Sequence, residues 1–197
     1  MRIRVIGVQG DVSKHVDAVA RAIHDSGRSG EALAVRRRAD LDRVDALTIP
    51  GGESTTISKL LVKLDLHDEI VRRAREEAMP LLGTCAGCIL LAKDAGAQGE
   101  RTKTTLLGLM DMAVDRNAFG RQRESFEADL DVEGLESPFH CVFIRAPAIL
   151  RTWGDCKALA RYQGRIVLAR QGNLIGSAFH PELSGDLRIH RWFLDLV

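Results

Sequence analysis

Residues 81–87 of the chain read LLGTCAG, an apolar run that enters a Gly-x-Cys-x-Gly motif, and a helical pattern follows. Such an abrupt passage from strand to helix needs small residues on both sides of the turn, because a Cβ at Gly83 or Gly87 would clash. The turn projects Cys85 from the carboxyl edge of a sheet, where open α/β sheets bind ligands. The adjacent helix N-terminus favours a thiolate, and the N–H of Ala86 would point toward an oxyanion. The motif therefore predicts an α/β sheet that presents a nucleophilic cysteine.

Two other interpretations of this cysteine stay open on the motif alone. Cys85 could be a structural side chain on a glycine-rich turn. Cys85 and Cys88 also form a C-x-x-C pair at a helix start, which is the spacing of a thioredoxin-like redox motif, although such a motif is expected near the first βα unit of a chain. Zinc binding is disfavoured, because a structural site needs four ligands and no second C-x-x-C pair accompanies the first.

The rest of the chain divides into two patterns. The first half alternates β-rich runs with helical periodicity, which favours a parallel sheet covered by helices. The second half has short strand candidates separated by turn signals, so we expect an antiparallel extension of the sheet, including a hairpin of residues 165–170 and 173–179. No Pro/Gly/Ser-rich linker divides the chain, which predicts one domain over residues 1–197. The predicted strands are 3–8, 33–35, 46–49, 80–82, 107–114, 126–132, 142–144, 159–162, 166–170 and 174–179, and the predicted helices are 15–26, 58–64, 68–78, 86–95 and 187–196.

Composition excludes several classes of function. The 197 residues contain 28 Lys and Arg against 27 Asp and Glu, a net charge of +1, which argues against a protein that binds nucleic acid by neutralising phosphates. The longest uncharged stretch, residues 78–92, has 15 residues, whereas a membrane span needs about 20. The first residues do not resemble a signal peptide. We therefore expect a cytoplasmic protein with four free thiols and no membrane partner.

A histidine suited to activating a thiol stands near the end of the chain, in residues 178–182 (AFHPE). The apolar run ends at His180, which places this side chain at a strand end and again at the sheet edge. Pro181 favours an extended backbone at the preceding residue, and residues two apart in an extended segment point the same way, so Glu182 can hold the imidazole. These residues predict a Cys85–His180–Glu182 triad, although a strand-end histidine on its own is more often merely hydrogen-bonded.

A second glycine-rich turn occurs in residues 49–56 (IPGGESTT), where a buried strand meets a hydroxyl-rich helix start. Ser54 or Thr55 is the expected N-cap. The two glycines allow bare backbone to approach a ligand, and one of their N–H groups could complete an oxyanion hole opposite the elbow. The alternative is a plain βα turn with a cap. A phosphate-binding loop is excluded because its Gly-Lys signature is absent.

With these motifs assembled, the chain resembles the class I, triad-type glutamine amidotransferases, and most closely the glutaminase subunits of pyridoxal 5′-phosphate synthases. Five blocks carry the resemblance in the family's order: GVQG at 7–10, GESTT at 52–56, RNAFGRQ at 116–122 with SFE at 125–127, FIRAP at 143–147 and FHPEL at 179–183. Family members usually have an apolar residue where Cys88 stands, which makes the C-x-x-C pair look accidental.

The resemblance implies a fold and a set of site residues. The fold is a three-layer, flavodoxin-like α/β arrangement with a mostly parallel central sheet flanked by helices and an antiparallel extension. The implied roles are Cys85 as nucleophile, His180 as base, Glu182 as orienter, Gly52 and Ala86 as oxyanion donors, and Gly52, Glu53, Ser54, Arg116, Ile144 and Arg145 as the glutamine site. Without the resemblance, Arg116 and Arg145 would read as solvated surface charges. No metal and no organic cofactor is implied.

The implied reaction is the hydrolysis of L-glutamine to L-glutamate and ammonia, with the ammonia delivered through a channel to a synthase subunit that makes pyridoxal 5′-phosphate. Two classes of alternative remain at this stage. One is an amidotransferase subunit of another pathway, and the blocks at 116–122 and 143–147 argue against it. The other is a non-catalytic module on the same fold or a C-x-x-C redox protein, and the complete triad argues against both.

Overall fold

A ten-stranded mixed sheet organises the part of the chain that the computed structural model describes, residues 1–116, 118 and 125–197. A separate two-stranded sheet lies beside it. The strands in chain order are β1 (Arg2–Ile6), β2 (Glu31–Val35), β3 (Ala46–Ile49), β4 (Leu81–Thr84), β5 (Ala92–Asp94), β6 (Met110–Asp115), β7 (Ser125–Leu130), β8 (Phe139–Ile144), β9 (Ala148–Thr152), β10 (Lys157–Tyr162), β11 (Arg165–Gln171) and β12 (Leu174–Ser177).

Six α-helices connect or cover these strands in the described residues. They are α1 (Val12–Asp25), α2 (Ser54–Lys63), α3 (His67–Glu76), α4 (Ala86–Leu91), α5 (Gly96–Arg101) and α6 (Arg188–Leu194). Among these helices none is long and apolar enough to cross a membrane.

The large sheet has the order β2-β1-β3-β4-β12-β11-β9-β6-β5, with β10 paired to β11. The first five strands of this order are mutually parallel, and β11, β9 and β6 continue the sheet in antiparallel fashion. Ile49 pairs with Gly83, and Ser177 pairs with Thr84. The carboxyl ends of β3, β4 and β12 therefore lie side by side at one edge of the sheet.

Two apolar clusters cover opposite faces of the sheet and produce three layers. Leu47 and Leu81 belong to the cluster that packs against α2, α3 and α4. Their neighbours Ala46 and Leu82 belong to the other cluster, which packs against α1, α6 and the β7–β8 hairpin. Adjacent residues of these strands thus point to different layers, as the pleat requires. The predicted three-layer α/β fold with a mostly parallel sheet and an antiparallel extension is confirmed.

Most predicted elements are present with bounds displaced by a few residues, and the predicted hairpin is the antiparallel pair β11–β12. The helix predicted over 86–95 was wrong in its second part, because it ends at Leu91 and the chain then forms β5, which pairs in parallel with β6. Strand β9 and helix α5 were not predicted. Helix α2 begins at Ser54, before the helical run predicted over 58–64 and within one residue of the predicted N-cap.

Gly87 fixes the distance between α4 and the sheet. A Cβ built on this residue would overlap the carbonyl oxygen of Ile49 in β3. We expect Gly87→Ala to lower the free energy of unfolding by about 3 kcal/mol, the upper part of the usual range for overpacking, because backbone cannot rotate away. Gly164→Ala is the control, since Gly164 has φ +80° with nothing within 4 Å of its Cβ position, and it should cost about 1–2 kcal/mol. Equal losses in urea unfolding would contradict the packing argument.

His190 on α6 makes stability depend on pH. Burial lowers the pKa of this imidazole from 6.5 to about 4. Between these values the unfolded chain binds a proton that the folded chain does not, so stability falls as the pH decreases from 6.5 toward 4, by at most about 1.4 kcal/mol per pH unit. We expect His190→Leu to weaken the loss of stability between pH 7 and pH 5, measured by urea unfolding. The control is His24→Leu, which replaces a 90% exposed histidine side chain and should keep the pH dependence of the wild-type stability. If His190→Leu also kept that dependence, its assignment to His190 would be refuted.

Candidate active site

The turn between β4 and α4 has the tight geometry that residues 81–87 predict. Cys85 adopts φ +48° and ψ −102°, in a region that non-glycine residues rarely occupy and that surrounding structure must stabilise. The N–H of Cys85 donates to the carbonyl oxygen of Ser177 at 2.8 Å, which ties the turn to β12. A Cβ on Gly83 would lie 2.6 Å from the carbonyl oxygen of Gly87, so the turn leaves no room for a side chain at Gly83.

His180 and Glu182 form a close pair after the end of β12. The Nδ1 atom of His180 lies 2.7 Å from Oε1 of Glu182, and the N–H of His180 donates to the carbonyl oxygen of Val142 in β8 at 2.9 Å. Glu182 lies in a short 3-10 turn, Pro181–Leu183, rather than in the extended segment that was predicted. Pro181 occupies the first position of this turn, where its fixed φ is favourable, and the turn still places the carboxylate beside the imidazole.

The imidazole of His180 rests against the turn that follows β3. A Cβ on Gly51 would lie 2.5 Å from Cε1 of His180 and 3.4 Å from Cβ of Cys85. The absence of a side chain at Gly51 therefore allows the ring and the nucleophile candidate to meet. Burial lowers the pKa of His180, but hydrogen bonds with Cys85 and Glu182 outweigh it and raise the pKa to about 10, which favours an imidazolium beside the sulfur.

Glu182 is held in its anionic form although its side chain is only 2% exposed. Burial raises the pKa of Glu182, but hydrogen bonds from His15 and His180 outweigh burial and hold the pKa well below its usual range. The buried carboxylate thus carries the negative charge that an orienting acid needs in order to stabilise an imidazolium.

A cleft of about 1130 Å³ opens over these groups. Every predicted site residue except Ala86 lines this cleft. The first helical N–H groups have no intrahelical acceptor, and the N–H of Ala86 begins α4. The predicted residues that line the cleft are Gly52, Glu53, Ser54, Cys85, Arg116, Ile144, Arg145, His180 and Glu182.

Glu53 and Arg116 form a charged wall of this cleft. Glu53, rather than the predicted Ser54 or Thr55, is the N-cap of α2: its carboxylate accepts the N–H of Thr55 at 3.1 Å and that of Thr56 at 2.7 Å. The carboxylate serves both donors at once because Oε1 accepts the N–H of Thr55 and Oε2 accepts the N–H of Thr56. The guanidinium of Arg116 lies 3.2 Å from the same carboxylate. Within the predicted block 116–122, residues 117 and 119–122 lie outside the described residues.

The segment that follows β8 forms the opposite side. The Sγ atom of Cys85 lies 4.0 Å from the carbonyl oxygen of Ile144. The next residue, Arg145, is exposed and has φ +47°. Ile144 and Arg145 both line the cleft, and the carbonyl oxygen of Ile144 lies beside the sulfur.

Two residues with direct contacts to the site had no predicted role. The Oε1 atom of Gln9 accepts the N–H of Glu53 at 2.9 Å, and Nε2 of His15 lies 3.1 Å from Oε1 of Glu182. Gln9 belongs to the block at 7–10, which marked the resemblance but was given no function. His15 could have been found as a polar residue on the buried face of α1, alongside Ala18, Val19 and Ala22.

The C-x-x-C redox interpretation of Cys85 receives no structural support. Cys88 is fully buried one helical turn later, and burial raises the pKa of its thiol far above that of an ordinary cysteine, which makes it a poor partner for thiol exchange. All four cysteines are free. The described residues contain no group of three or more side chains able to hold a metal ion.

Comparisons with known proteins agree with this geometry. The pattern of the SNO glutamine amidotransferase family matches residues 5–197. The pyridoxal 5′-phosphate synthase subunit PdxT of Archaeoglobus fulgidus is 54% identical over 196 residues, which cover 100% of this chain and 98% of that protein. The protein of the same name from Methanosarcina barkeri is 49% identical over 197 residues, with 100% and 98% covered. A crystal structure of a glutamine amidotransferase superimposes with a TM-score of 0.87 at 45% identity and covers 98% of this chain and 97% of that one. The chain therefore belongs to the SNO glutamine amidotransferase family.

Proposed function

We propose that this chain is the glutaminase subunit of a pyridoxal 5′-phosphate synthase and hydrolyses L-glutamine to L-glutamate and ammonia through Cys85, His180 and Glu182. The observation that carries the proposal is the strained turn at Cys85 beside an imidazole that a buried carboxylate holds at 2.7 Å. The full-length similarity to synthase subunits supports the assignment to vitamin B6 biosynthesis.

The chemistry follows from the imidazolium that the contacts of His180 favour. The thiolate of Cys85 attacks the side-chain amide carbon of glutamine, and the carbonyl oxygen takes up the electron pair. The N–H groups of Gly52 and Ala86 stabilise this oxyanion. The imidazolium of His180 protonates the nitrogen as the C–N bond breaks, which releases ammonia and leaves a thioester. The neutral imidazole then removes a proton from water, which attacks the thioester and releases glutamate.

The charged wall of the cleft suits the amino-acid part of the substrate. Glutamine carries an α-ammonium and an α-carboxylate, and Glu53 and Arg116 offer one partner for each. Glu53 stays anionic because hydrogen bonds from Thr56 and Thr55 outweigh its burial and lower its pKa. The segment at Ile144 and Arg145 borders the sulfur, where the side-chain amide must lie. Ser54, at the start of α2, completes the site around Gly52.

The ammonia needs a second protein, because free ammonia is protonated in bulk water and loses its nucleophilicity. We propose that a synthase subunit docks on this chain and receives ammonia directly. The glycine turn after β3 is a suitable switch: Gly52 has φ +149°, a conformation open to glycine but not to other residues, and the peptide before it can turn either its N–H or its carbonyl toward the oxyanion.

The role of Cys85 is tested with the neighbouring thiol as the matched control. We expect Cys85→Ala to abolish glutamine hydrolysis, because loss of a nucleophile costs about 10⁶-fold in kcat in a serine protease. Cys88→Ser should remain within about threefold of wild type, since this residue lies one helical turn farther on. Glutamate release is measured with the synthase subunit present. If both variants were inactive, a C-x-x-C redox mechanism would be favoured, and full activity of Cys85→Ala would exclude the triad.

The role of the partner is tested by steady-state kinetics at saturating glutamine. We expect the isolated chain to be a poor glutaminase and the synthase subunit in molar excess to raise kcat by roughly 10²–10³-fold, the contribution of one oxyanion-hole donor. Bovine serum albumin at the same concentration controls for non-specific effects. A turnover number that the synthase subunit leaves unchanged would contradict the switch while leaving the triad intact.

A further inference from the structure

Behind the triad, a second histidine contacts the carboxylate that orients His180. His15 lies on the buried face of α1 and is 1% exposed. Its Nε2 atom is 3.1 Å from Oε1 of Glu182 and 3.2 Å from Oγ1 of Thr84. Thr84 is the residue directly before Cys85. His15 therefore joins the orienting acid to the strand that carries the nucleophile.

The hydrogen-bond partners define the tautomer of this histidine. Nδ1 of His15 is buried and has no hydrogen-bond partner among the described residues, so a proton on that atom would be unsatisfied. An ionised carboxylate can only accept hydrogen bonds. The ring of His15 is consequently the tautomer in which Nε2 carries the proton and donates it to Glu182.

The carboxylate depends on this donor because its other contacts are few. The Nδ1 atom of His180 and the Nε2 atom of His15 both lie next to Oε1 of Glu182, at 2.7 Å and 3.1 Å. The second oxygen, Oε2, is buried without a hydrogen-bond partner in the part of the chain that the structure describes. Removing His15 would leave a buried carboxylate with one donor, free to rotate about its last bond or to take up a proton.

We propose that His15 is a positioning residue of the glutaminase reaction, which holds Glu182 ionised and oriented toward His180 without touching the substrate. The inference rests on the proposed function, since it concerns the same triad. The orienting acid matters most when the imidazolium is formed or consumed, whereas glutamine is held by other residues. The expected signature of a loss at His15 is therefore a lower kcat with an unchanged KM.

The expected size of the effect is taken from other residues that hydrogen-bond a functional side chain without touching the substrate. Removing residues that orient metal ligands in this way lowers activity roughly 10- to 100-fold, and the loss of a hydrogen bond to a charged group corresponds to a factor of the same order. We expect His15→Leu to lower kcat for glutamine by this factor. His15→Gln carries an amide nitrogen at about the distance of Nε2 and should restore most of the loss, whereas the shorter amide of His15→Asn cannot reach Glu182 and should behave like His15→Leu.

His190 provides the matched control for the loss of a buried histidine. It lies on α6, is 0% exposed, and neither of its ring nitrogens has a hydrogen-bond partner in the described residues. His190→Leu therefore makes the same chemical change in the same layer without removing a donor to the triad. We expect its kcat to stay within about twofold of wild type, as is usual for a change that breaks no contact to the reacting groups.

The experiment measures kcat and KM for glutamine in the complex with the synthase subunit, for wild type, Cys85→Ala and the four histidine variants, with thermal unfolding of each. The proposal is supported if His15→Leu and His15→Asn lose kcat at constant KM while His15→Gln and His190→Leu do not. Should His15→Leu fail to fold, the Gln and Asn pair decides.

Two results overturn the inference in distinguishable ways. If wild type is active but His15→Gln is as slow as His15→Asn, or His190→Leu loses as much kcat as His15→Leu, then His15 has a structural role only and the proposed function stands. If wild type releases no more glutamate than Cys85→Ala, the proposed function fails and the role of His15 fails with it.

Discussion

The left-handed backbone of Cys85 is the constraint on which the rest of the site depends. A side chain in this conformation is unfavourable unless its surroundings enforce it, and here two contacts do so. A side chain at Gly83 would meet the backbone of Gly87, and a side chain at Gly87 would meet the backbone of Ile49 in the neighbouring strand. Any Cβ at these positions would push the helix away from the sheet. The packing of α4 thus determines where the sulfur of Cys85 lies, and the strain is balanced by burial of the whole turn.

The parallel part of the sheet then brings the remaining groups to this sulfur. Strands β3, β4 and β12 are neighbours that end at the same level, so the glycine turn, the elbow and the His180 segment all begin at one edge. The polar contacts run inward from the cleft. Cys85 faces His180, His180 lies against Glu182, and Glu182 lies against His15 at the base. The buried anion of Glu182 thus has a histidine partner on each side, which is the condition under which a buried charge is tolerated.

The architecture and the sheet-edge positions of Cys85 and His180 could be predicted from local signals, because glycine brackets, strand-end polar residues and alternating elements follow from backbone sterics and periodicity. Arg116, Ile144 and Arg145 were assigned only through the family resemblance, since no local signal distinguishes them from ordinary surface or core residues. The contact of His15 with Glu182 could not be predicted in this way, since it joins residues 167 positions apart on a helix and a turn. On α1 the buried face includes the polar His15, whereas the apolar Ala20 is exposed, so the spacing of apolar residues alone does not define that face. The N-cap of α2 was assigned to a hydroxyl because Ser and Thr are among the usual N-cap residues and Glu is not. Strand β5 follows α4 without a turn residue, so only its pairing with β6 reveals it.

The central claim is that the turn makes Cys85 the nucleophile that carries the glutamyl group. It is tested most directly by acid-quenching the complex during turnover of glutamine and analysing the peptides by mass spectrometry. Cys85 and Cys88 fall in one tryptic peptide, residues 76–93, so fragment ions between the two cysteines must locate the modification. We expect one glutamyl thioester, on Cys85, that disappears when glutamine is exhausted. A glutamyl group on Cys88 would contradict the claim. So would sustained glutamate release without any thioester, under quench conditions that preserve the thioester of a known cysteine glutaminase.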